Sequence, residues 1–88
     1  MNSYRCIVNG KVQGVYYRKN VSANASKENF KGYVKNLPNG DVEACVECEK
    51  DKLKRFIEIL KQGSPASQVD HIDISAIDES FNKFEIRY

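Results

Sequence analysis

The sequence predicts an α+β protein with a ferredoxin-like fold: βαββαβ plus a short fifth strand, with two helices on one face of a mostly antiparallel sheet. Three observations lead there. Apolar residues alternate with period two around Tyr4 to Asn9, Val42 to Glu49 and Val69 to Ile77. Leu53, Phe56, Ile57 and Leu60 fall at helical spacing. Asn39-Gly40, with Pro38 before it, is a strong hairpin signal.

The elements follow in order. In the first strand Tyr4, Cys6 and Val8 face one way and Arg5, Ile7 and Asn9 the other, a half-buried pattern. A loop follows, and Lys19 to about Asn29 reads as a helix with a thin apolar stripe, Val21 and Ala25. No Ser, Thr, Asp or Asn stands immediately before it as an N-cap, so water or a bound anion is left to fill that place. Gly32 to Leu37 reads as the second strand. Val42, Ala44, Val46 and Cys48 are the inward set of the third, with Glu43, Cys45, Glu47 and Glu49 outward on a solvated face. Asp51 is placed to cap the second helix, and Gly63 ends it before Pro65. In the fourth strand Ile72, Ile74 and Ala76 share a face. The short fifth aligns Phe84, Ile86 and Tyr88.

The chain has 88 residues, which suggests one domain, residues 1–88. A chain of this length buries roughly 60–65% of its unfolded surface, enough for one core. Fourteen basic and twelve acidic side chains leave a formal charge of +2, too little to argue for nucleic acid. No apolar run has the length of a membrane span, and Met1 to Arg5 leads into a strand pattern without an apolar signal core. A cytoplasmic protein is expected. An odd number of cysteines (Cys6, Cys45 and Cys48) fits reduced thiols. Cys45 and Cys48 form C-x-x-C, but on a strand, where positions three apart point to opposite faces; packing is the simpler reading than redox or metal chemistry.

The stretch from Gly10 to Arg18, Gly-Lys-Val-Gln-Gly-Val-Tyr-Tyr-Arg, joins a strand to a helix start through two glycines and an arginine. Such a loop can turn backbone N–H groups toward one point, and the helix start adds unpaired N–H groups and a positive dipole end. Arg18 offers a permanently charged fork that fits two phosphate oxygens. A plain turn, with Arg18 paired to a surface carboxylate, is the alternative. The glycine spacing is neither a nucleotide P-loop nor a dinucleotide fingerprint.

What is missing narrows the chemistry. His71 is the only histidine and sits on the outward side of the fourth strand between Asp70 and Asp73. No Ser-His-Asp or Cys-His set is available. An enzyme built this way would work without metal, cofactor or covalent nucleophile. It would suit an already activated substrate, holding an anion and placing a water. A second stretch, Gly32 to Glu43, ends its strand with Asn36, whose amide can hold a water without taking its proton. Asparagine is also common near hairpins, but here Asn39 already serves the turn.

Together these stretches resemble the signatures of the acylphosphatase family. Gly10 to Arg18 is similar to Gly-x-Val-Gln-Gly-Val-x-Phe/Tyr-Arg, and Gly32 to Glu43 to Gly-x-Val-x-Asn-x-x-Asp/Asn-Gly-x-Val-Glu. Gly63-Ser64-Pro65 and the Phe84-x-Ile86 ending also look like the family. Tyr33 stands where the family often has Trp, and Tyr16 where a small or aromatic residue is usual. The resemblance implies the five-stranded ferredoxin-like fold and hydrolysis of the carboxyl–phosphate bond of small acyl phosphates, without a metal or cofactor. It places the catalytic roles on Arg18 and Asn36 and the phosphate cradle on Gln13, Gly14, Val15, Tyr16, Tyr17 and Arg18. The substrate's own phosphate would help deprotonate the water, and inorganic phosphate would be product and inhibitor. A free-standing monomer is expected, with no nucleic acid or membrane partner. One rival is an RNA-binding sheet, since Lys31-Gly32-Tyr33-Val34 faintly echoes an RRM aromatic motif, though on the second strand instead of the third; a second is a catalytically silent protein-interaction domain that keeps the fold.

Overall fold

The structure, a computed structural model, describes residues 1–88. Its elements are β1 (Asn2–Lys11), α1 (Tyr17–Lys27), β2 (Lys31–Asn36), β3 (Val42–Cys48), α2 (Leu53–Gln62), β4 (Gln68–Ile77) and β5 (Phe84–Arg87). The five strands form one sheet in the order β4-β1-β3-β2-β5. Every pairing is antiparallel except β2 with β5. The expected α+β, ferredoxin-like arrangement is what the chain adopts.

The inward residues of the strands and the apolar stripes of both helices make one core. Cys6 and Val8 of β1 and Val42, Ala44, Val46 and Cys48 of β3 meet Val21 and Ala25 of α1 and Phe56, Ile59 and Leu60 of α2. The helix α1 begins at Tyr17, two residues before the expected start, because Tyr17 is the first member of its stripe: Tyr17, Val21 and Ala25 are spaced four apart and all buried. It ends in a Schellman arrangement. Asn29 takes φ 64°, its N–H donates to Ser26 O, and the Phe30 N–H donates to Ala25 O.

Two expectations fail. Asp51 does not cap α2. It lies inside a 3-10 turn, Lys50–Lys52, and Lys52 holds the N-cap position with no side-chain bond. The carboxylate is thus one residue too early to reach the free N–H groups as a cap, although it remains on the favourable side of the helix dipole. Nor is the outer side of β3 a solvated face throughout. Phe81, from the β4–β5 connection, folds over Tyr33 and Cys45 with Ile77 alongside. Cys45 is 1% exposed and Glu43 9%. Glu43 accepts from Tyr33 Oη at 2.6 Å and from Arg5 Nε at 2.5 Å, so its charge is paired where it is covered. Burial pushes the Cys45 thiol above its ordinary pKa. Cys45 and Cys48 do lie in different clusters on opposite sides of the sheet, and all three cysteines are free.

Candidate active site

The site grows from the place where β1 leaves the sheet. Pairing with β4 shifts register between Asn9 and Gly10, and the chain then turns across the top of the sheet toward α1. Gln13 secures the turn: its Nε2 donates to the carbonyls of Leu37 and Asp41, each at 2.8 Å. That one amide ties the loop to the β2–β3 hairpin. Gly14 follows at φ 71° in open space, so the backbone conformation and not crowding makes glycine suitable there.

Tyr16 is also left-handed, at φ 62°, and it is the N-cap of α1. Holding a non-glycine residue there costs about 1 kcal/mol or more, and such strain concentrates at functional sites. The Tyr16 carbonyl accepts from the Asn20 N–H at 3.1 Å and Asn20 Nδ2 at 2.9 Å. The Val15 carbonyl accepts from Ser64 Oγ at 2.6 Å. No side chain caps the helix, as the sequence predicts, and its first turn holds no acidic residue. From Gly14 through Lys19 the backbone N–H groups have no acceptor in the protein. Unpaired donors, a helix N-terminus and the cations Arg18 and Lys19 therefore share one small region, an electrostatic setting for an anion.

Arg18 is the second residue of α1 and reaches toward β5. Its Nη1 donates to the Arg87 carbonyl at 3.0 Å, and the guanidinium lies 4.8 Å from the Tyr88 ring centroid. Asn36 ends β2, opposite Val42 of β3. Its Oδ1 is buried and has no hydrogen-bond partner. Arg18 and Asn36 line one cleft of about 470 Å³, together with Gly14, Tyr16, Tyr17 and Tyr88. Residues 18 apart in sequence thus come together because β2 and β5 are neighbours and α1 packs across both.

Of the residues expected in a phosphate cradle, Gly14, Tyr16, Tyr17 and Arg18 line this cleft, while Gln13 and Val15 do not. The Gln13 side chain belongs to the hairpin. Val15 half-packs on the core and borders a neighbouring groove. The Tyr17 ring is 1% exposed, and its hydroxyl donates to Leu60 O at 2.8 Å, so only its backbone is available to a ligand. Burial drives that phenol above its ordinary pKa. Tyr33 is buried against Phe81, with the Arg87 guanidinium 3.9 Å from its ring centroid, and offers no exposed platform for a base. His71 is exposed beside Asp73 on β4, at the far edge of the sheet from β5. No His, Cys, Asp or Glu group is placed to hold a metal ion.

Three features at the site went unassigned in the sequence: the Ser64 bond, the Tyr88 ring under Arg18 and the lining residue Lys19. Ser64 carried a signal, a small hydroxyl between the helix-ending Gly63 and Pro65. The alternation aligned Tyr88 with Phe84 and Ile86, but β5 ends at Arg87, and nothing in the sequence signalled that the Tyr88 ring lies under Arg18.

Comparison with known proteins agrees with this fold. The acylphosphatase family model matches residues 4–86. The chain is 41% identical over 90 residues to an acylphosphatase of Bacillus subtilis, covering 100% of this chain and 99% of that one. It is 41% identical over 80 residues to one from Acaryochloris marina, covering 91% and 84%. The crystal structure of the Bacillus subtilis acylphosphatase superposes with a TM-score of 0.92 at 40% identity, each chain fully covered. That from Coxiella burnetii gives 0.88 at 34% identity, over 98% of this chain and 92% of that one. The crystal structure of T. kodakarensis HypF matches 98% of this chain with only 12% of its own, at 37% identity and TM-score 0.81. The chain belongs to the acylphosphatase family.

Proposed function

We propose that this protein hydrolyses the carboxyl–phosphate bond of small acyl phosphates, giving a carboxylate and inorganic phosphate. The observation that carries the reading is the buried, unpartnered Oδ1 of Asn36 in the same cleft as the Arg18 guanidinium. A buried polar atom without a partner is costly, and its residue's place in the cleft wall suits that oxygen to accept from a water bound there. Family membership supports the substrate class.

In this reading the phosphoryl group lies over the N–H groups from Gly14 to Arg18, and the Arg18 fork holds two of its oxygens. Arg87 O and Tyr88 orient the guanidinium beforehand. Asn36 positions a water in line with the phosphorus–oxygen bond to the acyl group. The water oxygen bonds to phosphorus, the acyl oxygen leaves with its electron pair as carboxylate, and a phosphate oxygen takes the water's proton. Catalysis is positioning plus stabilisation of negative charge on the phosphoryl oxygens. Gln13 and Val15 contribute through the loop's shape. Inorganic phosphate, the product, should compete for the same donors.

Residues 1–88 act as one domain, and the enzyme works as a monomer in the cytoplasm. Three unpaired thiols suit a reducing compartment. No helix is long and apolar enough to cross a membrane. The test is benzoyl phosphate turnover by the purified protein, with phosphate as competitive inhibitor and light scattering for mass. Folded protein without turnover would overturn the reading.

A further inference from the structure

We infer that Ser64 is a positioning residue for the anion loop, acting through the Val15–Tyr16 peptide. The inference rests on the proposed phosphate site and adds a residue to it.

Ser64 is 5% exposed and follows the residue that ends α2, yet its Oγ donates at 2.6 Å to the carbonyl of Val15, 49 residues away. In a trans peptide the C=O and the following N–H point in opposite directions. Drawing the Val15 carbonyl toward Ser64 therefore aims the Tyr16 N–H to the other side. Ser64 and Val15 border one groove, and Arg18 and Asn36 line a separate cleft that neither of them reaches; Tyr16 and Lys19 line both. The bond thus turns the Tyr16 N–H away from the groove that Ser64 borders, which frees it for an anion in the cleft. It also helps keep Tyr16 in its left-handed conformation, which a bulky residue does not hold unaided.

Ser64 is itself firmly placed. Its N–H donates to Ser67 Oγ at 2.9 Å, and Ser67 Oγ donates to Ser64 O at 2.8 Å. Both bonds use Ser64 backbone atoms, so they do not depend on its side chain. The hydroxyl's one recorded bond is to the loop. Gln13 holds the opposite flank of the loop from the hairpin. With Ser64 it makes a two-sided clamp, and Ser64→Ala removes one side without dismantling the turn that carries it.

The test is a titration of 15N-labelled protein with inorganic phosphate, following the Tyr16 amide and the Arg18 side-chain Nε signal, for the wild type, Ser64→Ala and Ser64→Thr. In the wild type both signals should shift and saturate together. Ser64→Ala should weaken phosphate binding roughly tenfold, the equivalent of one hydrogen bond, and lose the Tyr16 shift while Arg18 still responds. Ser64→Thr keeps the hydroxyl and should restore both. An alanine variant with wild-type affinity and Tyr16 shift would overturn the inference. So would a wild type in which phosphate moves Arg18 but not Tyr16, a result available even if the alanine variant does not fold, and one that leaves the phosphate site standing. A wild type in which phosphate moves neither signal would overturn the inference and the site together.

Discussion

Arg18 Nη1 donates to the main-chain carbonyl of Arg87 at 3.0 Å, which uses one N–H on the edge of the guanidinium before any ligand arrives. The bond fixes the fork's direction from β5, while the Tyr88 ring supports its plane. Arginine has donors enough to hold Arg87 O and two phosphate oxygens at once; lysine, with three donors on one atom, cannot match that geometry. Arg18→Lys should lower kcat/KM for benzoyl phosphate by about a hundredfold or more and weaken phosphate inhibition in parallel. Steady-state kinetics with a phosphate inhibition series checks both.

Asn36→Ala should separate turnover from binding. The water loses its anchor, so kcat should fall about a hundredfold, while the phosphate inhibition constant stays within about threefold because Arg18 and the loop are untouched. Since Asn36 Oδ1 has no partner in the protein, folding stability should change by no more than about 1 kcal/mol. Kinetics and urea denaturation of the same preparation read all three.

Tyr17→Phe removes the hydroxyl that donates to Leu60 O near the end of α2. Leaving a buried carbonyl short of its donor costs about 1–3 kcal/mol, so the urea midpoint should fall with the slope unchanged. The ring still fills the core beside Gly63, and the loop backbone stays in place, so kcat should hold within about threefold.

Glu43 gives the stability a pH dependence of known sign. Burial alone would raise its pKa, but the hydrogen bonds from Tyr33 and Arg5 outweigh that and hold it below the ordinary value of 4.5. A depressed folded-state pKa stabilises fully above the ordinary value, and that share is lost as pH falls through the folded value. Glu43→Gln should therefore cost about 1 kcal/mol at neutral pH and flatten the stability curve below pH 4.5. Thermal unfolding of both proteins across pH 3 to 7 checks it.

Much of this was legible in the sequence, for physical reasons. Asn39-Gly40 has few uses other than a tight turn, Gly63 and Pro65 stop a helix, and period-two alternation marks a strand with one buried face. The absent cap before α1 was legible because caps are local. One failure was local, since the 3-10 turn at Lys50–Lys52 moves the start of α2 past Asp51; the others involved chain returning from a distance. Glu43 and Cys45 alternate like a solvated face, and only the fold brings Phe81 over them. Tyr17 sits in a motif that suggests a cradle, yet its side chain completes the apolar stripe of α1. Gln13 belongs to the same motif but reaches across to Leu37 and Asp41. A motif names neighbours along the chain; which atoms of those neighbours face the cleft depends on packing.

The most direct measurement is hydrolysis of benzoyl phosphate by the wild-type protein in 18O-labelled water. Attack by an Asn36-held water on phosphorus predicts rapid turnover, inhibited by phosphate, with the label in the inorganic phosphate. No turnover by folded protein, or label in the benzoate, would contradict it.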